Sequence, residues 1–286
     1  MITKRSIYES YPFYGRMTQG SIINGCIAED FPGEDVFGLI VTPRCDLGHE
    51  GKVSTVHYVP VVPFERWFEV IAKPIIREQW KKRLANQINT IFRESKVTSG
   101  NILDADLSYD DLMLINQEKV SKTKNQEKIS LLLKEFFEKN TDADDFNTFL
   151  SECITATKSN ELSLYLKALE GDKNASFYLI EGWDDYGANK HLVIILRDVR
   201  RIQFEIANMI KGGVTESELH ITDQLHNDLF LSNDNSNFFW VQAHIKSPFI
   251  EHIMQAFIHN FSRIGVEDRP ADTIEKLTKT LNSTII

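Results

Sequence analysis

Proline and glycine are spread so unevenly along this chain that they restrict where sheet and helix can lie. Five of the eight prolines precede position 64, and none occurs between Pro74 and Pro248. Between Gly51 and Gly171 the one glycine is Gly100. Proline lacks an amide donor and glycine lacks a Cβ to restrain its backbone, so a long stretch without them is expected to be helical. The chain divides accordingly into three regions: a β-rich module over 1–63, a helical region over 64–170, and an α+β region over 171–286 expected to share a core with the first.

Within 1–63, segments 21–27, 36–42 and 52–62 are rich in valine, isoleucine and threonine, with the turn sequences FPGED and GHEG between them. They predict three strands of a small barrel or curled sheet, the third ended by Pro60 and Pro63. In the second region Phe68, Ile71, Ile75, Leu84, Ile88 and Ile91 recur at helical spacing, with Pro74 expected to kink or break the helix. Further helices are expected over 109–120, 125–139, 146–157 and 161–170. In the third, 176–182 and 191–197 read as a hairpin around WDDYGANK. A helix over 201–211 should stop at Gly212-Gly213, and 237–245 reads as the last strand. The segment SPFIEHIMQAFIHNFSRIG has a serine N-cap at 247, proline in the first turn and Gly265 as a stop. Its apolar stripe runs through Ile250, Ile253, Met254, Phe257, Phe261 and Ile264. The fold class is therefore α+β.

A hydrophobic content of 42% supports a packed interior. A net charge of −9 disfavours general affinity for nucleic acid, which needs a basic field. Acidity is concentrated late: residues 140–286 carry 13 basic and 22 acidic side chains, against 14 and 12 over 64–139. Three cysteines do not make a disulfide framework in 286 residues. The segment MITKRSIYESYPFYG lacks the apolar core of a secretory signal, and no apolar run is long enough for a membrane span. A soluble cytoplasmic protein is expected, with no membrane partner.

The stretch VTPRCDLGHEGKV is the most chemically dense in the chain. Cys45 at a strand end is a candidate nucleophile, with Arg44 and His49 near in sequence and Asp46 or His57 as assisting groups. The alternative is scaffold: Cys45 packing as a small hydrophobe and Asp46 capping a turn made by Gly48 and Gly51. A third reading takes Cys26, Cys45, His49 and His57 as a zinc set, although their C-x18-C-x3-H-x7-H spacing matches no common finger pattern.

Elsewhere, Glu181, Asp184, Asp185 and Lys190 surround a hairpin tip, where carboxylates can hold magnesium or simply make a turn. His252 and His259 share one helix face. Arg77, Trp80, Lys81, Lys82 and Arg83 form a basic cluster with an aromatic ring, suited to an acidic partner or RNA, or to an ordinary solvated helix face. Signatures for phosphate loops, dinucleotide binding, zinc proteases, serine hydrolases and kinases are absent.

Two segments, VTPRCDL and SPFIEHIMQAFIHNFSRIG, resemble an uncharacterised group of bacterial proteins with a T-x-x-C-D-L-type element and a late S-P…R-I-G helix. The resemblance implies a setting beside ATPase or signalling genes in antiviral islands and carries no catalytic residue. The leading functional expectation is a cytoplasmic binding or regulatory subunit acting through protein contacts. The alternatives are a cysteine-dependent hydrolase or transferase centred on Cys45, and a zinc-stabilised module.

Overall fold

The computed structural model describes residues 7–10, 16–49, 52–104, 107–138, 148–149, 151, 176–185, 188–219, 228–229 and 238–261. The fold is α+β. Its centre is a curled, open half-barrel sheet of eight strands in the order β1-β10-β2-β3-β4-β6-β5, with β7 also paired to β4. The strands are β1 (Tyr8–Ser10), β2 (Ser21–Cys26), β3 (Val36–Ile40), β4 (Thr55–Pro63), β5 (Phe177–Asp185), β6 (Ala188–Ile195), β7 (Arg200–Gln203) and β10 (Val241–Ile245), every pairing antiparallel. A small ribbon of β8 (Val214–Thr215) and β9 (Phe238–Phe239) lies beside it.

Both faces of the sheet are covered, and the alternation of β4 shows how. Val59 and Val61 face one layer while Tyr58 and Val62 face the other, and all four are buried. The first layer is closed by Ile250, Ile253 and Ala256 of the last helix. The second is closed by Trp67, Phe68, Ile76 and Trp80 from the helical region, together with Phe204, Ile206 and Ile210.

Pro60 does not end β4, which continues to Pro63. On one side β4 pairs continuously with β3; on the other it pairs with β7 through Tyr58 and with β6 from Val61. Pro60 stands where the partner changes, so its missing amide interrupts no ladder on that side.

The helical region opens with α1 (Arg44–Leu47), in the β3–β4 connection, and α2 (Phe64–Trp67) after β4. Pro74 does not break the helix that contains it. A π-helical turn over Phe68–Ala72 joins α2 to α3 (Lys73–Glu94), and the Lys73 amide bonds to the Phe68 carbonyl five residues back. The wider turn absorbs the proline, which cannot donate to residue 70. Helices α4 (Tyr109–Lys119) and α5 (Thr123–Glu138) pack on the far half of α3 through Ile88, Phe92, Leu112, Ile129 and Leu133. Of the helix expected over 146–157, Thr148, Phe149 and Ser151 are described and helical; that expected over 161–170 lies outside the described residues.

Arg201 to Gln203, expected to be helical, form β7 instead, and α6 (Phe204–Gly212) starts after it. The Arg201 and Ile202 backbone is held in the ladder against His57 and Val56, a tertiary pairing that overrides the local helical pattern. Gly213, at φ +79°, ends α6 where a Cβ would lie 2.7 Å from the Phe238 ring. The last helix, α7 (Phe249–Phe261), comes after a cis Ser247–Pro248 bond. Ser247 does not act as its N-cap: its hydroxyl donates to Glu251 at 3.1 Å, and the Lys246 carbonyl takes the Phe249 and Ile250 amides.

Candidate functional site

The VTPRCDLGHEGKV stretch leaves β3, turns through α1 and returns toward β4. Thr42 stabilises the turn by accepting the His57 amide at 2.7 Å, and the Val41 amide donates to the His57 carbonyl. After Pro43 the chain winds one helical turn, with the Leu47 amide on the Pro43 carbonyl and the Gly48 amide on that of Arg44. No side chain caps α1, and Asp46 lies within it. It pairs with Lys52 at 2.6 Å and accepts the Cys45 thiol at 3.3 Å, and Lys52 holds its carboxyl below the usual range.

The two described cysteines have opposite environments. Cys45 is exposed, not packed. Cys26 is the small hydrophobe, fully buried against Gly38 and Tyr58, and burial pushes its thiol pKa up. The proposed zinc set is not brought together. Cys26 pairs with Val36 at the start of β3 while Cys45 lies beyond its end, and β3 rises ~3.3 Å per residue between them. His49 and His57 line different cavities. Among the described residues no group of three or more ligating side chains is arranged to hold a metal ion. Nor does any hydrogen bond among the described residues join Cys45 to His49 or His57; its thiol proton faces a carboxylate.

The basic cluster of α3 is divided by packing. Trp80 is buried in the core and cannot stack on a base. Arg77 lies over the Phe149 ring at 5.1 Å, and Lys82 pairs with Glu78 at 2.5 Å. Lys81 is partly buried, while Lys82 and Arg83 border a shallow groove with Lys128 of α5. Glu181 is exposed on β5; the side chains of Asp184, Asp185 and Lys190 lie outside the described set. His252 and His259 are exposed on α7.

Beside α1 the fold assembles a basic cleft. Gly20 ties the chain before β2 to two strand ends, its amide on the Ile40 carbonyl and its carbonyl accepting the Ile245 amide. Arg16 and Thr18 are thereby placed against α1 and the end of β10. A cavity of about 650 Å³ results, lined by Arg16, Thr18, Arg44, His49, Asn208 and Lys211, with Met17, Leu47 and Phe204 as its apolar part. Among the described residues no carboxylate lines it. A second cavity of about 340 Å³ shares Arg16, Thr18 and Arg44 and adds Glu9, Gln19, His244 and Lys246.

His244 reports how the two guanidiniums are placed. Its Nδ1 meets the Ser21 hydroxyl at 2.9 Å, and the same oxygen accepts the Thr18 amide. Burial, then the nearby Arg16, push its pKa down to about 4; Glu9 opposes this and Arg44 adds to it. Ser21 is fully buried, which makes the Ser21–His244 pair a structural bond and not a nucleophile with its base. Neither Arg16 nor Arg44 forms an ion pair with any described carboxylate.

Sequence reading singled out Arg44 and His49 but missed Arg16, Lys211 and Lys246. Each is an isolated cation in its own segment, and only tertiary pairing brings them together. Comparison with family models, characterised proteins and solved structures gave no match.

Proposed function

We propose that this chain is a binding or regulatory subunit whose strand-end cleft recognises a small anionic ligand. The observation that carries this is that Arg16, Arg44 and Lys211, from three separate segments, line one cavity on which no described carboxylate lies. Guanidinium pairs suit phosphoryl and carboxylate oxygens because their planar donors can bond two oxygens at once. The concave shape and size suit a small molecule. A polyanionic chain would meet the field of net charge −9 outside the cleft.

Action through a protein partner is part of the proposal. Its support is the set of large apolar side chains left exposed, Leu114 and Leu131 on the helical region and Ile258 and Phe261 on α7. The bacterial antiviral setting rests on the resemblance of the two sequence segments alone. In this reading Cys45 is an accessible thiol held by Asp46, and no reaction is assigned to it.

Isothermal titration of the whole chain with inorganic phosphate tests the cleft. Arg16→Gln and Arg44→Gln should each weaken binding by about 1.5–3 kcal/mol, the usual worth of a hydrogen bond to a charged group. Titration heats indistinguishable from dilution, or binding untouched by both substitutions, overturns the reading.

A further inference from the structure

The two cavities beside α1 share one wall but differ in chemistry. The larger has Arg16, Arg44 and Lys211 and, among the described residues, no carboxylate, so it suits a group carrying full negative charge. The smaller shares Arg16 and Arg44, with Lys246 and Gln19, and also has a carboxylate, Glu9. A second phosphoryl group there would face Glu9 at close quarters. A hydroxyl group would not: a carboxylate accepts from it strongly, and the Gln19 oxygen is a further acceptor, since the Gln19 amide nitrogen already donates to the Val41 carbonyl at 3.1 Å.

Resting on the anion-binding reading above, we infer that the ligand is a phosphorylated polyol of sugar-phosphate type. Its phosphoryl group sits among Arg16, Arg44 and Lys211, and its hydroxyl groups reach Glu9 across the shared wall. The two cavities, about 650 and 340 Å³, are each within the range that holds small ligands. The shared guanidinium pair lies where the phosphoryl group meets the carbon chain. That position explains why a pair of cations borders both cavities while Lys211 and Glu9 each border one.

The test compares inorganic phosphate with ribose 5-phosphate, by isothermal titration against the full chain and its Glu9→Ala variant. The expected result is that ribose 5-phosphate binds at least about tenfold more tightly than phosphate. Glu9→Ala should remove that advantage while leaving phosphate binding no weaker. Equal affinity for the two probes, or an advantage that survives Glu9→Ala, overturns this inference and leaves the anion cleft standing. Binding of neither probe overturns both. Glu9 is exposed on a short edge strand, and its β1 backbone pairing with β10 does not use the side chain, so the variant should fold; circular dichroism at matched temperature verifies that.

Discussion

The burial of His244 predicts a specific acid sensitivity. Its pKa lies at about 4 in the folded protein against an ordinary value of 6.5, so between those values the unfolded chain binds the proton more readily. Stability from this group is therefore present above pH 6.5 and is lost as pH falls through about 4. Each tenfold change in proton affinity is worth about 1.4 kcal/mol. The linked loss should reach about 2 kcal/mol by pH 5 and about 3 kcal/mol by pH 4. Urea unfolding of the wild type and His244→Asn at pH 4–8 isolates the effect, because carboxylate titrations occur in both proteins and cancel in the difference. Asparagine preserves an acceptor for the Ser21 hydroxyl and cannot be protonated in this range. The wild-type curve should fall away from the variant's below pH 6.5. Parallel curves, within about 0.5 kcal/mol across the range, would refute the claim that this imidazole is held neutral by burial and by Arg16 and Arg44.

Three further outcomes are expected. Gly38→Ala should lower the urea midpoint by an amount equivalent to about 1–3 kcal/mol or more, since its Cβ would lie 2.5 Å from Cys26 Sγ and 2.8 Å from the Tyr58 ring; an unchanged midpoint contradicts that packing. Tyr58→Phe should cost about 1–3 kcal/mol in the same assay, because the hydroxyl accepts the Ile27 amide at 3.2 Å and donates to the Asp228 carbonyl. In native protein a thiol reagent should modify Cys45 while Cys26 reacts only on unfolding, and peptide mass mapping after brief labelling distinguishes the two sites.

The α+β class and most elements before residue 139 were legible because hydrophobic period and the punctuation by proline and glycine act locally. The elements that escaped were set by pairing partners distant in sequence. Arg201 looked helical until β4 supplied its partner. Pro60 looked like a strand end because a sequence does not show that β4 exchanges β7 for β6 at that point. The site was half legible. VTPRCDLGHEGKV supplies Arg44 and His49 to the lining of the proposed cleft, and the other cations that line it lie far away in the chain. Trp80 misled for the opposite reason: beside four basic residues it read as a recognition ring, whereas its position on α3 turns it into the core.

The place of β10 in the sheet has a consequence for how the protein is made. It lies between β1 and β2, and its bond from His244 to Ser21 joins residues 223 positions apart. During synthesis the β2–β3–β4 meander therefore emerges early, yet one margin of β2 stays open until the strand around His244 has left the ribosome. Contacts so remote slow folding, and an apolar strand margin waiting unpaired is a template for wrong partners. A nascent chain stalled before residue 241 should consequently depend on chaperones that the finished molecule no longer needs.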